Sequence, residues 1–195
     1  MSQNALLPDN VLIGTANGPG IWIAPVGTAA PVDADTALPA AWSTLGYLSE
    51  DGVSFGQSVD SESITPWQSK APVRTIVTSR ELSCEFTMLE FSAQNAALYF
   101  DQPAPVETDG EFALTVRSDV PQQMYAIVID VKDSVSAVRY HFPRASLSEA
   151  GDLEVTASGA MGLPVTLSAL DDAGVLANIF KSNTAPVAVV KAAAK

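Results

Sequence analysis

Apolar and polar residues alternate along much of this chain. Leu82, Cys84, Phe86 and Met88 are separated by Ser83, Glu85 and Thr87, a period of two that sends one set of side chains to each face of a β-strand. Phe112, Leu114 and Val116 repeat the pattern. Further strands are predicted at 21–24, 42–48 and 53–59, the last two joined through Glu50-Asp51-Gly52, where glycine accepts the positive φ of a hairpin turn. The runs QMYAIVIDV (123–131) and SVSAVRYHF (134–142) flank a tight turn at Lys132-Asp133. Short strands are expected at 146–149 and 153–157, and a longer one at 163–170. One segment departs from this pattern: SAQNAALYF (92–100) predicts a short helix, capped by Ser92 and stopped by Pro103. Regularly spaced strands with one helix predict a mainly β fold, a β-sandwich or barrel whose short α-helix covers an open end or edge.

Three stretches fall outside the pattern. Residues 56–73 are polar for most of their length and hold Trp67 within them. A loop of that length in a compact domain is uncommon and usually functional. Trp67 either packs back on its own domain or serves as an apolar anchor at an interface. Residues 1–20 and 181–195 read as terminal arms. They carry Leu6, Leu7, Val11 and Ile13 at one end and Val187, Val189 and Val190 at the other, apolar residues that a disordered tail does not need. The whole chain, 1–195, suits one domain, since a chain of this length buries roughly 70% of its extended surface.

Charge narrows the function. The formal charge is -12, from 22 acids and 10 bases, which argues against free affinity for DNA or acidic membrane because phosphate binding needs clustered Lys and Arg. The distribution is uneven: the first base is Lys70, so copies packing first half against second half would present partly complementary faces. The only cysteine, Cys84, leaves no partner for an intramolecular disulfide and favours intracellular assembly. The N-terminus lacks the basic and apolar regions of a signal peptide, and no apolar run is long enough for a membrane span, so a soluble cytosolic product without membrane insertion is expected.

Catalytic chemistry finds little support. The one histidine, His141, lies between Tyr140 and Phe142 on a predicted strand, the setting of a structural or surface group rather than a general base. One Cys and one His supply none of the paired spacings of a zinc site. GTANGPG lacks the following Lys and helix of a phosphate loop. Acid pairs such as Glu50-Asp51 and Asp171-Asp172 sit at turn signals, where solvation accounts for them. Neither an enzyme nor a cofactor or metal is expected.

Taken in order, IWIAPVGTAAP, AAWSTLGYLSEDGVSF, the polar segment ending PWQSKAPVR and the unit ELSCEFTMLEFSAQNAALYF, followed by YAIVIDVKDSVSAVRYHFPRASLSEAGDL and LPVTLSALDDAG, resemble a known family. The resemblance is to the major tail-tube proteins of bacteriophages with long, non-contractile tails, the siphovirus type, particularly those of actinobacteria, and it covers nearly the whole chain. It implies a virion structural protein assembled in the host bacterial cytoplasm, related to the tubes of contractile tails and type VI secretion. Six subunits would form a homohexameric ring whose sheets join around a channel. Rings would stack around a tape-measure protein, meet tail terminator and distal tail proteins at the ends, and pass viral DNA without sequence recognition. The polar segment then corresponds to the part that reaches the neighbouring ring, with Ser61, Ile64, Trp67, Gln68, Lys70 and Arg74 as contacts. The arms would add contacts through Leu6, Leu7, Val11, Ile13, Val187 and Val189.

On the strand after the polar segment, Glu81, Ser83, Glu85 and Thr87 share the face away from the apolar side. They point either to the lumen or to outer solvent, and the tube architecture makes them candidates for the channel lining. Two other readings compete: a head-decoration or host-binding β-sandwich, which should show an exposed aromatic cluster, and a hydrolase built on a carboxylate dyad, for which only the number of acids speaks.

Overall fold

The computed structural model describes residues 20–133, 136–155, 157 and 159–182. The arm residues Leu6, Leu7, Val11, Ile13, Val187 and Val189 lie outside the described residues. Eight strands and one helix follow in chain order: β1 (Gly20–Pro25), β2 (Ser43–Thr44), β3 (Leu48–Ile64), β4 (Arg74–Met88), α1 (Ala93–Tyr99), β5 (Met124–Lys132), β6 (Ala137–Ala150), β7 (Leu163–Ala169) and β8 (Asn178–Ser182). All pair antiparallel in one sheet of order β2-β1-β5-β6-β7-β4-β3, and β8 pairs with the first half of β6. The mainly β class with one short helix is therefore as expected.

The sheet curls around its own core. Ile21 and Ile23 of β1 share one apolar cluster with Cys84, Phe86 and Met88 of β4, although three strands separate them. Phe55 of β3 likewise lies 4.5 Å, ring to ring, from Tyr140 of β6. The alternation in β4 sets this up: Cys84, Phe86 and Met88 are buried while Glu81 and Glu85 stay exposed. α1 closes one opening against β6 and β7, and Leu98 enters the core. Its N-terminus is capped as predicted, with Ser92 Oγ accepting from Asn95 N at 3.2 Å.

Several predicted elements came out differently. Residues 42–48 form only the two-residue β2 before Leu48 begins β3. Gly46 sits at φ 78, and any side chain there would meet the Glu90 carboxylate, so the extended run is broken. Gly52 does take positive φ (73), but for a bulge rather than a hairpin: Leu48 and Val53 face Met88 and Phe86 of the same partner strand. The segment 112–116 forms no strand among the described residues. Phe112 and Leu114 are half-buried, but among the described residues no neighbouring backbone completes a ladder. Residues 153–157 form no strand among those described, and 146–149 belongs to β6 rather than to a separate element. β8 was not foreseen; it occupies the edge of β6 that β7 leaves open.

The two ends of the sheet differ on their second face. At β1 and β5, Trp22, Ala24, Ala126 and Val128 form another apolar cluster with Leu38 and Trp42, contributed by the 26–42 loop. Arg139 of β6 anchors that loop. It pairs with Asp130 through Nε to Oδ1 at 2.6 Å and Nη2 to Oδ2 at 2.8 Å, and Nη1 donates to the carbonyls of Asp33 and Thr36. Among the described residues, nothing comparable covers β4 and β7.

Candidate functional site

The segment read as a loop is largely β-structure. β3 and β4 stay in register to Ile64 opposite Arg74, whereas β7 accompanies β4 only over residues 83–88. Residues 58–81 therefore leave the sheet as a two-stranded ribbon roughly 25 Å long, at about 3.3 Å per residue. This corrects the expectation of a structureless 56–73. The missed signal is the β-branched run Thr75-Ile76-Val77-Thr78, a composition favoured in strands. Cross-strand side chains help hold the ribbon: Ser79 Oγ donates to Asp60 Oδ2 at 2.8 Å, and the Ser63 and Thr75 hydroxyls lie 3.4 Å apart.

Of the six predicted contact residues, Ser61 and Ile64 lie on β3 and Arg74 begins β4, while Trp67, Gln68 and Lys70 form the tip. Val73 N donates to the Ile64 carbonyl at 3.0 Å and closes the turn. Trp67 is 99% exposed, so in this chain it does not fold back on its own domain. Val59, Ile64, Val73, Ile76 and Val77 are exposed along the same ribbon. Isolated two-stranded ribbons are marginal in water, and one that bares a full indole surface is suited to insertion into another surface.

The predicted channel residues also come together. Glu81, Ser83, Glu85 and Thr87 share the face of β4 opposite the core, and the cross-strand register extends it. One row runs Gly56, Ser83, Ser168, Ser146; the next runs Ser54, Glu85, Thr166, Glu149. A shallow groove there is lined by Gly56, Gln57, Ser58, Glu81, Ser83, Ser148, Thr166 and Ser168. Gly56 lets this row pack closely: a Cβ there would come within 2.7 Å of Ser83 Oγ, which would have to rotate away. Over β3, β4 and β7 the face offers hydroxyls and carboxylates but no Lys or Arg. Arg80, next to Glu81 along β4, pairs with Val59 and alternates to the opposite face, and Arg144 of β6 lies against Met124 Sδ of β5.

A scan against protein families matches residues 4–190 to the family described as Phage tail tube protein. The chain belongs to that family. This tail tube protein is a structural subunit of a phage tail tube, and its place is the virion tail. Among solved structures, a chain from the virion of a native gene transfer agent (GTA) particle is similar at 10% identity, covering 86% of this chain and 98% of that one, with a TM-score of 0.42. That likeness is too distant to add to the assignment. A direct comparison with curated proteins finds no match. Of the three readings the sequence left open, the family match selects the tube subunit.

The reactive groups of the tail tube protein are held inside the fold. His141 is buried in a T-shaped contact with Trp42, centroids 5.9 Å apart, and its Nδ1 lies 3.3 Å from Asn178 Nδ2. Burial holds its pKa below the ordinary 6.5, with Asp172 opposing in part. Cys84 is buried on the core face of β4, and desolvation pushes its thiol up to about 12. Among the described residues, no three His, Cys, Asp or Glu side chains gather as a metal ion would require.

Proposed function

We propose that six tail tube proteins close into a ring, that rings stack through the β3–β4 ribbon, and that the bare polar face lines the channel for viral DNA. The uncovered hydroxyl and carboxylate face carries this reading. A sheet whose second face is polar must meet water, and a lining without bases suits passing DNA because each phosphate neutralised by Lys or Arg adds affinity. Six copies would repeat Glu81 and Glu85 as rings of like charge, which a channel focuses more strongly than an open surface does. The outer edge of β3 has no strand partner among the described residues, and an unpaired edge of this length is a template for joining a neighbour's sheet. The role is structural rather than catalytic, assembly takes place in the host cytoplasm, and the tape-measure, tail terminator and distal tail proteins are its partners in the tail.

Replacing both Glu81 and Glu85 with Lys tests the lining. Tubes are expected to form, while DNA ejection from tails carrying the variant slows, most strongly at low salt. Unchanged low-salt ejection would place these residues outside the channel. For stacking, residues 58–81 can be replaced by an Asn-Gly turn, which closes the hairpin at the Gln57–Leu82 pair. The shortened chain should fold and form rings that do not stack.

A further inference from the structure

The ribbon that ends in Trp67 has a second end. Beyond the Leu48–Met88 pair, Leu89 N donates to the Tyr47 carbonyl at 2.9 Å, and Tyr47 N donates to Glu90 Oε1 at 2.9 Å. Asn95 Nδ2 of α1 donates to both the Leu45 and Glu90 carbonyls at 2.9 Å, and Glu107 Oε2 accepts from Ala93 N at the helix start. This backbone is held firmly, yet its aromatic side chains are not covered. Tyr47 is 77% exposed and Phe91 47%, and Phe91 stacks on Phe112 with centroids 5.9 Å apart. Exposed aromatic clusters on an ordered support mark interaction surfaces.

We propose that the surface around the stacked pair Phe91 and Phe112, with exposed Tyr47 on the backbone bonded to Glu90, receives the Trp67 tip of a second copy of this chain. The proposal rests on the reading of the ribbon as the stacking element and identifies what it docks against. Charge supports this choice of occupant. Residues 64–74 hold Lys70 and Arg74 and no acid, whereas residues 89–116 hold Glu90, Asp109 and Glu111 among other acids and no base. An aromatic anchor with a basic rim thus matches an aromatic surface with an acidic one. Position supports it as well. The two surfaces lie at opposite ends of β4, 15 residues and roughly 50 Å apart, so one chain cannot satisfy both. Contact between copies is head to tail, and each addition leaves one tip and one acceptor free, the condition for an open stack.

A charge swap tests the pairing. Lys70→Glu with Arg74→Glu reverses the tip. Asp109→Asn with Glu111→Lys reverses the acceptor, and Asn tolerates the left-handed backbone that Asp109 adopts at φ 52. Each pair of substitutions alone should raise the subunit concentration needed for tubes by about tenfold or more, and the chain carrying all four should return to within about threefold of the parent. Oxidation of a Gln68→Cys, Ala113→Cys chain should give a covalent ladder beyond dimers, with buried Cys84 silent; this second assay also covers an acceptor variant that fails to fold. Lack of charge rescue together with lack of a ladder, in a protein whose ribbon deletion abolishes stacking, would put the acceptor elsewhere. If the ribbon-deleted chain still stacks, the stacking reading falls and the proposal with it.

Discussion

The β1–β5 end and the β4–β7 end of the sheet contribute to the same core but have opposite second faces. In β5 the run Ala126 to Asp130 is buried without interruption, because Ile127 and Ile129 face the main core while Ala126 and Val128 face the cluster under the 26–42 loop. In β4 burial alternates, and Glu81 and Glu85 stay in solvent. A strand covered on both sides reads as a continuous apolar run, and one covered on one side reads as alternation. The difference separates the part of the tail tube protein that stabilises the subunit from the part left open to solvent, the face proposed to line the channel.

The largest expected break in this comparison is Arg139→Ala. It strands the buried Asp130 carboxylate and releases the Asp33 and Thr36 carbonyls, and uncompensated buried charges cost about 3 kcal/mol or more. Lys132, 3.7 Å from Asp130, offsets part of this. Urea denaturation of the unassembled subunit measures the loss, and a change below about 1 kcal/mol would show that the loop is not held by Arg139.

Val128→Ala, on the covered face, is next, at about 2 kcal/mol from lost burial and the cavity left behind. Thr166→Ala, on the bare face, should stay within about 0.5 kcal/mol by the same assay. Equal losses at the two sites would mean that the polar face is covered within the subunit.

The smallest effect concerns His141, whose pKa in the folded state lies below its unfolded value. Above about 6.5 both states are neutral and the group contributes no pH dependence. As pH falls below that value the unfolded chain takes up the proton first, so stability declines until the folded pKa is passed. A His141→Gln subunit should show a shallower decline of melting temperature between pH 7 and pH 5, values about either side of the His range. Identical slopes would mean that His141 is protonated equally in both states.

What could be read from the sequence follows from the same contrast. β1, β4's core half, α1, β5, β6 and β7 were legible because each buries a regular set of side chains, and burial imposes a period. Glu81, Ser83, Glu85 and Thr87 were legible as one face for the same reason. The ribbon was not, because it is exposed on both sides: backbone pairing and polar cross-strand contacts keep residues 58–64 opposite 74–81, and neither leaves a hydrophobic period. Residues 112–116 show the converse, an alternating pattern with no strand pairing among the described residues. The sequence by itself thus determined the strand faces, the helix cap and the lack of an intramolecular disulfide partner for Cys84, since these depend on residue type and local spacing. Only the tertiary structure decided that Trp67 stands at the tip of a projecting ribbon, that Phe91 stacks on Phe112 beyond the other end of the β3–β4 pair, and that β8 completes β6. Those arrangements join residues far apart in the chain, and long-range pairing is set by the closure of the whole sheet rather than by any local period.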